Sequence, residues 1–313
     1  MPIRQAILAA AVVGWFTMLS GGPSWADEPL TAAAQPVSYG SIEADGTWAK
    51  LYLDLPTSSR SPFVLPVPRS TPPFPIILNE AVQRSINSFL DHSDTFEATL
   101  RRGRPYIPEM VRELRAQGVP DDMVYLAFAE SAFSRRGRGW WQFNAATAKT
   151  YGLHVNSWVD ERRDPILSTR AAAEYLADLH DAAGHDWPVA VIGWNGGDIA
   201  INRYWQLRGN NNFYRLMHVL PSYTRQLLAR FMAVDFIARN ANAYGIAEID
   251  FDQKPAYRVV NAKSGTTLSS LAASYHTTVS RLRELNPALL KDRVPQYSRI
   301  YTVRVPAQSR RLM

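Results

Sequence analysis

No cysteine occurs anywhere in the 313 residues. Disulfides, thiolate zinc sites, iron–sulfur clusters and cysteine nucleophiles are thereby excluded, and so is a lipid anchor on a processed cysteine. Such a chain passes through an oxidising compartment with no pairing problem. Histidine is scarce as well, at six. His180 and His185 stand five apart around an expected helix end and need not face one point, and no pair falls in a metal-ligand motif. No metal and no cofactor is therefore expected. There is no serine elbow for acyl transfer, and the glycines from 193 to 197 lack the Lys-Ser or Lys-Thr of a phosphate loop.

What is present suits a folded, exported protein. With 46% hydrophobic and 20% charged residues and a mean hydropathy of -0.21, the chain is not disordered, collagenous or a polytopic membrane protein. Its first residues have three parts. Arg4 gives a basic start, residues 6–19 form an apolar run, and Gly21, Gly22 and Pro23 precede Ser24-Trp25-Ala26. The run is too short for a comfortable membrane span, and small residues at -3 and -1 point to cleavage before Asp27. Residues 1–26 are read as a signal peptide. The mature protein is expected to be periplasmic or otherwise exported to the cell envelope, soluble, not a lipoprotein, and without stable membrane insertion.

Charge marks an internal boundary. The net charge is +6, but residues 257–313 carry +8 and residues 27–256 carry -3. The basic residues are spread through a patterned segment of an exported chain, so an anionic envelope polymer is the expected partner rather than nucleic acid. Residues 27–78 are read as a proline-rich extended segment, with seven prolines between Pro56 and Pro75. Residues 79–246 read as one all-helical domain, in which helical spacing recurs with caps at Asn144, Asp164 and Asp186. Residues 247–256 form a linker. Residues 257–306 read strand, helix, helix, strand, with Thr278 capping the second helix, and 307–313 is a basic tail.

Within the helical region several motifs follow one another. Glu130-Ser131-Ala132-Phe133 comes first, then Gly139-Trp140-Trp141-Gln142-Phe143, then Trp194-Asn195-Gly196-Gly197. In this order they resemble the lytic murein transglycosylases of glycoside hydrolase family 23, and the membrane-bound transglycosylase D branch in particular. Tyr257-Arg258-Val259, Ser264-Gly265-Thr266-Thr267-Leu268 and Leu282-Arg283-Glu284-Leu285-Asn286-Pro287 resemble a LysM module, a peptidoglycan and chitin binder. The resemblance implies a mainly α protein, with a lysozyme-like SLT-type domain followed by a small βααβ domain, acting on peptidoglycan glycan strands. Glu130 is the implied sole general acid and base, cleaving the MurNAc-GlcNAc β-1,4 bond with formation of 1,6-anhydromuramic acid.

Apolar neighbours at Tyr125, Leu126, Phe128 and Phe133 suit such a role, because desolvation raises a carboxyl pKa toward neutrality. Asp160, Glu161 and Asp164 read as capping and salt-bridging residues, not as a second catalytic carboxylate. By motif position Ser131 orients Glu130 or contacts sugar, Gln142 and Asn195 bond hydroxyls and N-acetyl groups, and Trp140, Trp141 and Trp194 offer faces to sugar rings. The chain also departs from the family. Ser134-Arg135-Arg136-Gly137-Arg138 replaces a longer loop, which is expected to set Arg135, Arg136 and Arg138 along one cleft wall. Leu227 stands where the family has a late tyrosine, leaving Tyr223, one turn earlier, to substitute for it. The alternative reading is a weakly active or inactive glycan-binding scaffold on the same fold.

Overall fold

The computed structural model describes residues 74–207, 220–246, 256–296 and 300–307. The expected leader, nearly all of the proline-rich segment, residues 208–219 of the expected helical domain, most of the linker and most of the tail lie outside them.

The domain is built around a helix with no wet face. In α4 (Val124–Ser131), residues 124–129 are all buried, and a helix that is apolar all round belongs in the middle of a domain. A short 3-10 turn, Asp121–Met123, leads into it. Around it pack α1 (Glu80–Asp91), α2 (Ser93–Gly103), α3 (Ile107–Ala116), α5 (Ala145–Thr150), α6 (Pro165–Ala182), α7 (Trp187–Leu207) and α8 (Ser222–Arg239). The caps read from sequence are in place: Asn144 Oδ1 accepts from Thr147 N (2.8 Å), and Asp164 Oδ1 from Ile166 N and Leu167 N (3.0 Å each). Helix α2 had no counterpart in the sequence reading. It starts one residue after α1, and its buried face is Phe96, Thr99, Leu100 and Gly103, so a threonine and a glycine dilute the apolar period.

The chain entering the domain is held firmly. Phe74 is fully buried against Phe231, with ring centroids 4.8 Å apart. Its amide donates to Asp122 Oδ2 (3.1 Å), and its carbonyl accepts from Arg239 Nη2 (2.7 Å). Arg239 in turn pairs with the buried Asp122 and Asp235.

The C-terminal unit is an antiparallel pair, β1 (Tyr257–Lys263) and β2 (Ile300–Pro306), enclosing α9 (Leu268–Ser274) and α10 (Val279–Leu285). Thr267 and Thr278 cap the two helices. Its own core is small: Leu268, Leu271, Leu282, Val294, Val303 and Val305. Asn286 ties α10 to β2, donating to Arg304 O and accepting from Arg304 N, both at 2.8 Å.

This unit is docked onto the helical domain. Asp160 N donates to Ala288 O and Leu290 N to Trp158 O, both at 2.9 Å, so a short strand-like contact spans the two parts. Tyr257 and Leu285 are buried in the main core, and Tyr257 bonds Glu109. Arg304 forms a two-pronged pair with Asp164, the α6 cap. A sequence read as two modules joined by a linker thus folds with a shared apolar seam and a shared buried ion pair.

Candidate active site

Glu130 is the penultimate residue of α4, so its carboxyl lies at the negative end of a helix and beneath apolar walls. The helix stops because Ala132 and Phe133 both turn left-handed, at φ 52 and 51. Phe133 is thereby tucked into the core between Phe128 and Trp140, and Gly103 leaves room for its ring, since a Cβ there would sit 2.5 Å from it. Arg102 Nη1 donates to Ala132 O (2.8 Å), satisfying a carbonyl at the helix end.

A cleft opens in front of Glu130. Trp141, Phe143, Tyr175 and Trp194 form its aromatic side, Gln142 and Asn195 its polar groups, and Tyr223, Thr224 and Ile199 its far lip. Trp194 Nε1 donates to Glu130 Oε1 (2.9 Å). The Trp194 ring is wedged among Trp141, Phe143 and Tyr175, with centroids 5.1–5.5 Å away. The donor is therefore held rather than free to rotate. Among the side chains that the structure describes, which do not include that of Asp198, Glu130 is the only carboxylate lining the cleft.

The electrostatics favour a protonated acid. Desolvation pushes the Glu130 pKa from 4.5 up to about 7, against the Trp194 hydrogen bond and the cations Arg230 and Arg138, which pull it down. Arg230 sits on α8 where that helix packs against α4, and its Nε is buried. Burial lowers the Arg230 pKa to about 10, opposed by the attraction of Glu130. The site thus sets a strongly desolvated acid beside a strongly desolvated cation, each partly buried.

The sequence-expected residues separate into two groups. Glu130, Trp141, Gln142, Trp194, Asn195 and Tyr223 all border the cleft. Trp141 is its nearly inaccessible floor, with Nε1 bonded to Thr169 Oγ1 (2.8 Å), and it offers no open face to a ring. Gln142 is fixed by Nε2 donating to Gly139 O (2.6 Å). Gly139 is required there, because at φ 79 a Cβ would fall 1.8 Å from Arg162 O.

Several expectations are corrected. Trp140 is fully buried against Tyr106 and Phe133 and is a core residue. Ser131 Oγ donates to Trp140 O (2.8 Å) and accepts from Ser134 N (3.2 Å), so it pins the turn beneath the site. Arg135 turns away to the C-terminal unit. Its Nη1 caps α10 at Glu284 O (3.0 Å), and its guanidinium lies 5.9 Å from the Tyr106 ring centre. Arg136 is exposed. Of the three arginines, Arg138 is the one whose charge acts on Glu130. The acidic group at 160–164, by contrast, caps and pairs as expected: Asp160 with Arg162, Glu161 with His154 and Asp164 with Arg304.

Sequence reasoning missed Tyr175, Phe143 and Arg230. The signal for Arg230 was present. It is a lone charge among Leu227, Leu228, Phe231 and Met232, all buried, and a cation in such a run requires an anionic partner.

Arg230→Met is expected to raise the Glu130 pKa further, since a cation that favours the carboxylate is removed. If Glu130 acts as an acid, the alkaline fall of kcat/KM should then move to higher pH, and Arg230→Lys should restore it. A pH series on the three proteins checks this. An unmoved alkaline limb would reduce Arg230 to a packing role.

The family model described as "Transglycosylase SLT domain" matches residues 113–217. The chain is 25% identical over 218 residues to Membrane-bound lytic murein transglycosylase D of Escherichia coli (strain K12), covering 66% of this chain and 48% of that protein. The same figures hold for the protein of that name from Escherichia coli O6:H1. It is 31% identical over 103 residues to a putative tributyltin chloride resistance protein of Alteromonas sp. (strain M-1), covering 31% of this chain and 50% of that one. The chain spans about half the length of the curated relatives it matches. The residues that match the SLT domain model, 113–217, hold Glu130 and the aromatic side of its cleft.

Proposed function

We propose that the protein is a peptidoglycan lytic transglycosylase that uses one carboxyl group for both proton transfers. The observation that carries this is Glu130: the one acid among the described side chains of an aromatic cleft, desolvated so that its pKa rises to about 7, and clamped by an indole N–H. A hydrolase of the ordinary kind pairs its acid with a second carboxylate that acts as base or nucleophile. A transglycosylase does without one, because the substrate supplies its own nucleophile.

In the first step Glu130 gives its proton to the oxygen linking N-acetylmuramic acid to N-acetylglucosamine, and the C1–O bond breaks. The cationic sugar is stabilised by its own N-acetyl group. The Glu130 carboxylate, now favoured by Arg230, Arg138 and Trp194, takes the proton of the C6 hydroxyl as O6 bonds to C1. The products are a 1,6-anhydromuramoyl end and a free N-acetylglucosamine hydroxyl, and no water is consumed. Gln142 and Asn195 have both donors and acceptors for hydroxyl and N-acetyl groups.

The C-terminal unit is read as a LysM-like glycan binder, with a shallow groove along Thr267, Ser269, Val279 and Lys291. Its docking holds this groove at a fixed position relative to the cleft. The place of action is the cell envelope, and no described helix is long and apolar enough to cross a membrane. Incubation with purified peptidoglycan should release 1,6-anhydromuropeptides, detected by mass spectrometry. Reducing-end products alone would replace the reading with hydrolysis. Glycan binding with no product would favour the scaffold.

A further inference from the structure

Helix α6 ends away from the cleft in a Schellman turn. His185 N donates to His180 O (2.8 Å) and Gly184 N to Asp181 O (3.1 Å), with Gly184 left-handed at φ 62. This motif folds the side chain just past the glycine back onto the one five residues earlier, a contact that is ordinarily hydrophobic. Here both positions are histidine. The separation that in sequence gave no reason for the two rings to meet is the one that brings them together, with centroids 5.2 Å apart.

Asp181 completes the group, its Oδ1 lying 3.5 Å from His185 Nδ1. One ligand atom from each of the three residues falls within 4.8 Å of the others. The His180 ring is already oriented, lying flat on Trp187 with centroids 3.8 Å apart and planes 14° apart.

We propose that His180, Asp181 and His185 form a divalent transition-metal site, with zinc the best-fitting ion. Two imidazoles and one carboxylate are a borderline-soft donor set, and with a water they make four ligands. Bonds of about 2.0–2.2 Å need ligand atoms somewhat closer than they stand, and Asp181 and His185, with side chains 75% and 74% exposed, are free to close in by rotation. The last turn of an 18-residue helix also attracts a cation.

The position suggests what the ion does. Trp187 opens α7, and Trp194 lies seven residues on, two turns along the same face. A metal at this turn therefore clips the α6–α7 hairpin that presents Tyr175 and Trp194 at the cleft. The clip is structural and takes no part in proton transfer.

The test uses the full chain, purified without a histidine tag and freed of metal. Calorimetric titration with zinc should show one site per chain. Cobalt(II) should give the visible bands of a low-symmetry imidazole complex, and zinc in excess should raise the thermal midpoint by several degrees. His185 is left-handed at φ 65, so His185→Asn keeps a residue that tolerates that backbone, and it should weaken zinc binding at least about tenfold. Asp181→Asn should weaken it as well, and both variants should fold. If wild type and both variants bind zinc equally, the metal sits on other histidines and the assignment is wrong. If wild type gives neither zinc heat nor cobalt bands, the three residues are only a polar helix end.

Discussion

Glu130→Gln should lower anhydromuropeptide release by at least about 10²-fold, the lower end of what a positioned proton-transfer group supplies. Glutamine keeps the shape and can still accept from Trp194 Nε1, so folding and glycan binding should survive. The wild-type rate should fall as pH rises through about 7, where the raised-pKa acid loses its proton. Near-wild-type turnover in folded Glu130→Gln would remove Glu130 from the mechanism.

The same substitution should stabilise the protein. The Glu130 pKa is 4.5 without burial and about 7 in the folded state, so folding favours the protonated form. That contribution is complete below about pH 4.5 and is lost progressively as pH rises to about 7. The difference corresponds to roughly 3 kcal/mol at about 1.4 kcal/mol per unit. Urea unfolding of both proteins should show wild type losing stability over this window while Glu130→Gln does not. Equal pH dependence in the two would mean that Glu130 is solvated.

Arg304→Met should destabilise the whole protein by about 3–5 kcal/mol, the usual result of removing one partner from a buried ion pair. Asp164 is 3% exposed and keeps its two cap hydrogen bonds, but it would be left with an uncompensated charge at the domain seam. The loss should be read in the unfolding midpoint of the helical domain as well as of the C-terminal unit. Truncation before Tyr257 should act in the same direction, because it also exposes the Leu285 and Tyr257 positions of the shared core. Independent melting of the two parts, with the helical domain unchanged in Arg304→Met, would show that the seam contributes nothing.

The sequence by itself determined the helical class, because capping residues and apolar periods are local properties. Asn144 and Asp164 cap α5 and α6 where their sequence context places them, and Thr278 does so in the C-terminal unit. It also singled out Glu130, since a carboxyl between Phe128 and Phe133 is bound for an apolar setting, and the order of motifs around it is specific. It could not assign the aromatic residues. Trp140 and Trp141 are adjacent, yet one packs on Tyr106 within the core and the other floors the cleft. Nor could it separate Arg135, which reaches α10, from Arg138, whose charge bears on Glu130.

Those outcomes depend on which distant element arrives opposite. Arg230 meets Glu130 because α8 packs on α4, a hundred residues away in the chain. Arg304 meets Asp164 across 140 residues, which turned an expected tether into a docked interface. Local propensity sets where helices begin and end. Long-range packing alone decides which buried charge faces which, since that choice depends on distances no short stretch of sequence contains.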